Sequence, residues 1–285
     1  MATQQQFPLD PNTPLAQLWA RNGGRQRQKD QLLSVQSATM QREQLRSYAH
    51  MEARSWEVMV SKERAVLLET KWKEAKDSIE TRNRILREAA TAGHSLNQEA
   101  KTLTDNIALL RETMQEVKAG FRDARNLPHV ETAGFTCVPR AYASVSSYFR
   151  AMNYEFNEQT FEEFFSAAQE IKALEMAELW QLRPLAELVL LEVLAERADE
   201  LENSPYAGLD REQRQGEDES TRGATDAQTL VASLRAVSDT DWKELLERIN
   251  VIEQILRKDP CGAYPQMDYE SRDSYRKAIT EMAER

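Results

Sequence analysis

Residues 176–201 read MAELWQLRPLAELVLLEVLAERADEL, which is the most apolar helical segment of the chain. Val189 and Leu190 lie beside leucines that recur at every third position, so apolar residues cover more than one face of the predicted helix. A helix that is apolar on several faces is surrounded by other elements. We therefore expect this helix at the centre of a bundle, with these leucines in the core: Leu182, Leu185, Leu188, Leu191 and Leu194.

Helical patterns flank this segment on both sides. Apolar residues at alternating spacings of four and three run from Leu103 to Phe121, and Asn157 precedes a helix whose phenylalanines share one face. The chain has nine glycines and nine prolines, and no alternating strand pattern is present. These patterns predict an all-α fold in which the following residues face the bundle: Ile107, Leu110, Met114, Val117, Tyr142, Val145, Phe149, Phe161, Phe164 and Phe165.

The first ninety residues indicate a different organisation. Residues 1–14 have the composition of a disordered lead, and residues 27–90 contain neither proline nor glycine. Trp56 and Leu67 belong to a thin apolar stripe, with Met59 and Val60, on an otherwise charged helix. We therefore expect a long exposed N-terminal helical arm followed by a multi-helix bundle. We predict four divisions: the lead with the arm at residues 1–92, the helical bundle at 93–203, an acidic flexible linker at 204–228, and a C-terminal helical pair that packs on the bundle at 229–285.

The charge balance limits the function classes. The chain of 285 residues carries 37 Lys and Arg against 47 Asp and Glu, a formal net charge of -10. Residues 1–90 hold fifteen basic and eleven acidic residues, so the rest of the chain is strongly acidic and a nucleic-acid footprint over most of the surface is excluded. Cys137 and Cys261 lie far apart, which fits a reducing compartment. Neither a signal peptide nor a span of about 20 apolar residues is present, so we expect a soluble chain.

No pattern in the sequence predicts a catalytic, cofactor or metal site. The three histidines, His50, His94 and His129, lie in separate segments without a carboxylate or cysteine at ligand spacing. Nucleophile motifs and glycine-rich phosphate loops are also lacking. The acidic runs at 162–163 and 217–219 match a solvated helix face and a solvated linker better than two carboxylates opposed across a cleft. The sequence therefore assigns no catalytic residue, no cofactor and no metal.

Three tryptophans are candidates for contact with another molecule. Trp72 lies among lysines of the charged arm, which predicts an exposed side chain that meets a protein partner or a lipid surface. Trp180 and Trp242 lie on apolar helix faces, where core packing is favoured over a platform for sugar stacking. Both interpretations stay open for those two residues.

A turn and the start of the last helix carry the densest set of candidate residues. The turn reads DPCGAY over residues 259–264, and the helix start reads MDYESRDSYR over residues 267–276. In a structural interpretation Asp268 caps the helix and Arg272 bonds Asp259 across the turn. In a functional interpretation the cluster binds a sugar or a nucleotide. The candidates are Asp259, Pro260, Gly262, Tyr264, Asp268, Arg272, Asp273 and Tyr275, and the last helix is expected to turn Tyr275, Ile279 and Met282 inward.

The same C-terminal stretch resembles a known family. Over residues 241–276 it follows the pattern D-W-x-x-x-x-E-x-x-x-V-x-E-x-I-L-R-x-D-P-x-G-x-Y-x-x-M-D-Y-x-S-R-D-x-Y-R. Together with LTDN at 103–106, PRAYA at 139–143 and ELW at 178–180, this pattern resembles the N-terminal region of bacterial cyclic β-1,2-glucan synthases over about residues 83–285. The matching positions are Asp241, Trp242, Glu247, Glu253, Leu256, Arg257, Asp259, Pro260, Gly262, Tyr264, Met267, Asp268, Arg272, Asp273, Tyr275 and Arg276.

The resemblance implies a cytoplasmic helical region that precedes a membrane-embedded glycosyltransferase, which uses UDP-glucose and a divalent metal. No catalytic residue is carried over, because the sequence has no D-x-D metal site in a strand-rich domain and no Q-x-x-R-W-type acceptor motif. We predict a non-catalytic module that lies in the cytoplasm and docks on a membrane glycosyltransferase or on its own chain. A second hypothesis places the module in peripheral contact with the inner face of the plasma membrane. Two competing hypotheses are a split piece of the synthase and a scaffold that self-associates through residues 27–90. Whether glucan is contacted stays open.

Overall fold

The computed structural model describes residues 42–59, 65–121, 127–132, 135–201 and 226–283. The expected lead at residues 1–14 and most of the expected linker at 204–228 lie outside these ranges. Within them the chain forms twelve α-helices, three short strands and a 3₁₀ turn at Tyr264–Gln266. The all-α fold class is confirmed, since helices form nearly all of the ordered elements.

The helices and strands follow one another in this order along the chain: α1 Arg42–Ser55, β1 Glu57–Met59, α2 Ala65–Thr91, α3 Gln98–Asp105, α4 Ile107–Gly120, β2 His129–Thr132, β3 Phe135–Pro139, α5 Arg140–Ala151, α6 Glu158–Ile171, α7 Met176–Trp180, α8 Leu182–Glu200, α9 Ala227–Asp239, α10 Trp242–Ile249, α11 Val251–Leu256 and α12 Tyr269–Ala283.

The helix α8 lies at the centre of the bundle. It packs against α2, α4, α5, α7 and α9, and its buried residues cover several faces, as the apolar pattern predicted. The predicted single helix over 176–201 is wrong in one respect, because the chain forms two helices that meet at Gln181. Pro184 explains the break: it has no N–H to donate, and its ring excludes the carbonyl of Trp180, the residue four positions earlier. The leucines predicted for the core are at most 1% exposed: Leu182, Leu185, Leu188, Leu191 and Leu194.

The expectation of a long exposed arm is wrong for the described part of residues 42–91. The strand β1 interrupts the helical segment after Ser55, and α1 and α2 both pack into the bundle, α1 against α6 and α2 against α8. Leu45 and Ile79 are fully buried in the same core as α8. The predicted apolar stripe was misleading because Trp56 precedes β1 and Leu67 lies in α2, so these residues do not belong to one helix. The predicted boundary at residue 92 stays a prediction.

A three-stranded antiparallel sheet in the order β1-β2-β3 has its last two strands between α4 and α5. Val58 pairs with Val130, which pairs with Val138, and the register shifts between Val130 and Thr132. The strands are three to five residues long. So few residues give too short an alternation to be recognised in a sequence. The sheet joins the segment after α1 to the segment before α5, which are far apart in the chain.

Aromatic side chains fill the space between α5, α6 and α10. Tyr148 makes edge-to-face contact with Phe161 at a centroid distance of 4.9 Å and with Phe164 at 5.7 Å. Trp242 contacts Phe161 edge to face at 5.5 Å. Such pairs add specific geometry to apolar burial. The prediction that the phenylalanines of α6 share a buried face is confirmed, and their contact with Trp242 positions the C-terminal segment on the bundle.

A methyl group at Gly120 is expected to lower the free energy of unfolding by about 1–3 kcal/mol. The Cβ of a Gly120→Ala variant would lie 2.8 Å from Cβ and 2.9 Å from Cγ of Pro184. Because that ring is rigid and lies in the first turn of α8, α4 and α8 would have to move apart. Urea unfolding measures the loss, with Gln115→Ala on the exposed face of α4 as the control. Equal stabilities of the two variants would contradict the close approach of α4 to α8.

Candidate functional site

The residues that resemble the glucan synthase pattern come together around α10, α11 and α12. Asp241 begins α10 by accepting the backbone N–H groups of Lys243 at 3.0 Å and Glu244 at 3.1 Å. Asn250 ends that helix and begins α11, because its side-chain oxygen accepts the N–H groups of Ile252 and Glu253. Asp241 thus sets the start of α10, and Asn250, whose backbone is extended, separates α10 from α11.

The turn after α11 is built on Asp259. Its carboxylate accepts the N–H groups of Cys261 at 3.0 Å, Ala263 at 3.0 Å and Tyr264 at 3.2 Å. These bonds, first of all those from Cys261 and Tyr264, hold the pKa of Asp259 below its ordinary value. Gly262 adopts a φ of +64° with open space beside it, a conformation that favours glycine. Pro260 is exposed at the outer surface of the turn. The carboxylate is engaged by its own loop.

Five charged side chains form a compact group below this turn, which we call the C-terminal ion cluster. Its members are Glu247, Glu253, Arg257, Arg272 and Arg276. Arg272 Nη2 contacts both oxygens of Glu247 at 2.7 and 2.8 Å, and Arg257 bridges the two carboxylates at 2.8 Å from each. Arg276 donates to Glu253 Oε2. The expected bond from Arg272 to Asp259 is therefore wrong, because Arg272 binds the partly buried carboxylate of Glu247 instead.

Burial distinguishes this cluster from a surface network. Glu253 is fully buried and Arg276 is 2% exposed. Tyr264, 4% exposed, donates its hydroxyl to Glu253 Oε2 at 2.6 Å. Burial works against ionisation of Glu253, but the hydrogen bonds from Tyr264, Arg276 and Arg257 outweigh it and lower the pKa of this carboxyl. Burial together with the Glu253 carboxylate raises the pKa of Tyr264 to about 12. Every oxygen of both carboxylates accepts at least one bond from within the protein.

The other predicted residues of the last helix lie around the cluster. Asp268 begins α12 as predicted, by accepting the Ser271 N–H at 2.9 Å, and its pKa is lowered by that bond. Asp273 pairs with Arg276 at 3.4 Å and with Lys277 at 2.7 Å. The expectation that the apolar residues of α12 face inward is wrong, since Tyr275 is 52% and Met282 65% exposed and Ile279 is only partly buried. The arginines occupy the inner face because Glu247 and Glu253 lie beneath it.

The three candidate tryptophans have different surroundings. Trp72 is half-buried, donates its indole N–H to the Met114 carbonyl at 2.9 Å, and lies between Lys76 and Lys118 at 5.2 Å from each ammonium. Trp242 is 8% exposed and belongs to the aromatic core. Trp180 is 40% exposed, so its expected burial in the core is wrong. It ends α7 at the break before Pro184 and therefore projects from the bundle.

A second buried ion pair joins two of the upstream motifs. Arg140, 4% exposed, donates to both oxygens of Glu178, which is fully buried. Arg140 also donates to the Ala173 carbonyl at 3.1 Å. Arg140 belongs to PRAYA and Glu178 to ELW, so the pair gives both matched motifs a structural role. Sequence reasoning did not select these residues, although a charged residue inside each short matched motif was an available signal.

The central helix α8 holds two carboxylates on different faces, Glu187 buried and Glu192 partly buried. Glu192 accepts the Tyr142 hydroxyl at 2.7 Å and pairs with Lys71 at 3.1 Å. Glu187 pairs with Arg183 at 2.9 Å, and the same guanidinium also binds Glu116 at 2.6 Å. Burial raises the pKa of both carboxyls, that of Glu187 to about 7, because a shared arginine compensates its charge only in part. No cleft opposes them to each other.

Glu187→Gln is expected to become more stable relative to the wild type as the pH rises from 5 to 8. In the folded state Glu187 keeps its proton up to about pH 7, whereas the unfolded chain releases it near 4.5. The stability contributed by the protonated carboxyl is therefore present below pH 4.5 and lost as the pH rises through 7. Urea unfolding at pH 5, 6.5 and 8 measures the difference. Glu112→Gln, exposed on α4, is the control; a Glu187→Gln difference that does not change with pH would contradict the raised pKa.

The described ranges contain neither a candidate metal cluster nor a helix that could span a membrane. There, no three His, Cys, Asp or Glu side chains are grouped so as to hold a metal ion. His129 is buried with Nδ1 at 2.7 Å from the Leu127 carbonyl, and His50 contacts Glu170 at 2.9 Å. None of the described helices combines the length and apolar character needed to cross a bilayer.

Comparison with known proteins identifies a distant relative. No family model matches the chain. The chain is 25% identical over 263 residues to the cyclic β-(1,2)-glucan synthase NdvB of Rhizobium meliloti (strain 1021), in a match that covers 68% of this chain and 9% of the relative. This chain therefore spans less than a tenth of the length of that relative. The match confirms the suspected resemblance as a distant one.

Proposed function

We propose that this chain is a non-catalytic helical module of β-glucan synthesis that docks on a membrane glycosyltransferase at the cytoplasmic side of the membrane. The distant similarity to a cyclic β-(1,2)-glucan synthase supports the connection with glucan synthesis. The relative's name states a synthase activity, and the match covers 9% of that protein. More than nine-tenths of the relative is therefore available to carry its chemistry and to contact the matched segment.

The C-terminal ion cluster is the observation that carries the non-catalytic part of the proposal. Glu247 and Glu253 are acidic residues of the matched pattern that Arg257 bridges, and a general acid or a metal ligand would come from such a pair. Their oxygens instead accept bonds from three arginines and from Tyr264. An active-site carboxylate needs at least one oxygen free for substrate or metal. These residues are used to hold α10, α11 and α12 together.

The hypothesis of a self-associating scaffold loses its basis in the described residues. That hypothesis required an exposed helical arm, whereas α1 and α2 pack into the core through residues such as Leu45, Leu68 and Ile79. A helix whose apolar face is already buried has little left to offer a second copy.

The proposal is tested by adding the purified full chain to membranes that contain the NdvB synthase without its segment that aligns with this chain. We expect the chain to co-sediment with these membranes at least about tenfold more than with membranes lacking the synthase. Membranes with the complete synthase are the matched control. They should bind less, because the synthase's own segment occupies the docking surface.

Glucan formation is measured in the same samples with UDP-glucose as the donor. We expect none from the isolated chain and a gain in the truncated synthase when the chain is added. Equal sedimentation with all three membrane preparations would overturn the docking proposal. Turnover of UDP-glucose by the isolated chain would overturn the non-catalytic assignment.

A further inference from the structure

The last helix has its polar and apolar faces reversed relative to an ordinary surface helix. Arg272 and Arg276 face the protein, where they bind the carboxylates of the C-terminal ion cluster. Tyr275, Ala278 and Met282, spaced by three and four residues, are exposed on the outside. A surface helix normally buries its apolar stripe against its own core. In α12 the ion pairs fix the helix, and its apolar stripe stays largely exposed, with Tyr275 also in edge-to-face contact with Tyr264 at a centroid distance of 6.2 Å.

A shallow groove continues the exposed stripe toward the turn. It has a volume of about 440 Å³ and lies between the end of α11, the turn and α12. Ile255, 61% exposed, lines one side, and Tyr275 lines the other. Pro260 and Met267 also belong to its apolar lining. We call the continuous surface formed by these groove residues and the outer face of α12 the apolar strip: Ile255, Pro260, Met267, Tyr275, Ala278 and Met282.

We propose that the apolar strip is the docking surface for one amphipathic helix of the membrane glycosyltransferase. This inference rests on the proposed function and identifies the part of the module that makes the contact. Residues spaced by three and four on α12, beside a groove at the end of α11, match the way one helix lies along another or in a groove.

The exposed apolar area of the strip distinguishes between two possible occupants, a single helix and a second copy of the chain. Three large apolar side chains, each more than half exposed, present on the order of 400 Å², which is typical of a functional patch on a monomer. A stable dimer buries about 800 Å² on each partner. The strip is therefore too small to hold two copies of a chain with net charge -10, and it suits a single helix.

The charge at the rim indicates the character of that helix. Lys258 lines the groove, is exposed and forms no ion pair with any described residue. Lys277 on α12 is 63% exposed, although it contacts Asp273 at 2.7 Å. Asp259 and Asp273 are both engaged within the protein. A docking helix with an apolar face and an acidic flank would therefore complement the strip.

Photo-crosslinking on the truncated NdvB membranes tests the inference. A benzophenone side chain replaces Tyr275 or Met282 in the full chain, and the same group at Gln115, exposed on α4, is the control. We expect crosslinks to the synthase from positions 275 and 282 and none from 115. Peptide mapping should place the crosslinked synthase residues three or four positions apart, as on one face of a helix.

Serine variants provide a second measurement. We expect Ile255→Ser with Met282→Ser to weaken co-sedimentation at least about tenfold without lowering the thermal midpoint, since both side chains are exposed. Ile85→Ser, which removes a side chain 40% exposed on α2, is the matched control and should bind as the wild type does.

The outcomes separate this inference from the proposed function. Wild-type binding with no crosslink from α12 and full binding by the serine variants would overturn the strip and leave the proposed function intact. Crosslinks between two copies of this chain, or to synthase residues without helical spacing, would overturn the assigned occupant. Absence of wild-type binding to the truncated synthase would overturn both.

Discussion

Replacement of Glu253 by glutamine is expected to lower the free energy of unfolding by about 3–5 kcal/mol, the range for removal of one partner of a buried ion pair. Glutamine keeps the shape of the side chain but removes the charge that compensates Arg257 and Arg276. Arg276, 2% exposed, would then be a buried cation that has lost its charged partner Glu253 and keeps longer contacts, 3.4 Å to Asp273 and 3.6 Å to Glu247. Because these arginines hold α12 on α11, we expect α12 to unfold locally before the rest of the bundle.

Urea unfolding followed by circular dichroism measures this loss, and hydrogen exchange shows whether α12 opens before the bundle. Glu244→Gln is the control: Glu244 pairs with Arg248 at 2.9 Å but is 70% exposed, and such pairs contribute about 1 kcal/mol or less. Acidification should lower the stability of the wild type, as the substitution does, because it removes the charge of Glu253. Since the folded pKa of Glu253 is lowered, its contribution is present above the ordinary value of 4.5 and lost as the pH falls through the folded value. Equal losses in the two variants would contradict the burial of the cluster.

Truncation of Phe161 to alanine is expected to lower the free energy of unfolding by about 3–5 kcal/mol. Phe161 is fully buried and contacts Tyr148, Phe165 and Trp242 at centroid distances of 4.9, 4.4 and 5.5 Å. The substitution leaves a cavity between α5, α6 and α10, because three separate helices would have to move together to close it.

Trp180→Ala is the matched control for this loss. It removes a larger aromatic side chain that is 40% exposed at the end of α7 and leaves no enclosed cavity, so we expect a smaller loss, about 1–2 kcal/mol. Chemical denaturation of both variants gives the comparison. A loss in Trp180→Ala as large as that in Phe161→Ala would contradict the position of α10 against the aromatic core.

Sequence patterns were sufficient to predict burial where a helix packs its main apolar face against the core. The leucines of α8 and the phenylalanines of α6 are buried as their spacing predicted. The same reasoning failed for α12, where Tyr275 and Met282 were assigned to the inner face. Apolar spacing locates a stripe but does not say which stripe faces inward when buried charges compete for that position.

The break before α8 and the small sheet illustrate two further limits. Pro184 is visible in the sequence and its steric effect four residues earlier was available as a signal. The pairing of β1 with β2 was not, because Val58 and Val130 are brought together only by the packing of α1 and α5. Strands of three to five residues leave little pattern of their own.

By itself, the sequence determined the all-α class, the central position of α8 and the distant resemblance to a glucan synthase, because each depends on residue spacing along one segment. The tertiary structure alone decided that Arg272 bonds Glu247 instead of Asp259 and that α12 turns its apolar stripe outward. The physical reason is that an arginine in the interior requires a carboxylate within about 3 Å, and which carboxylate lies there depends on how α10, α11 and α12 fold back on one another.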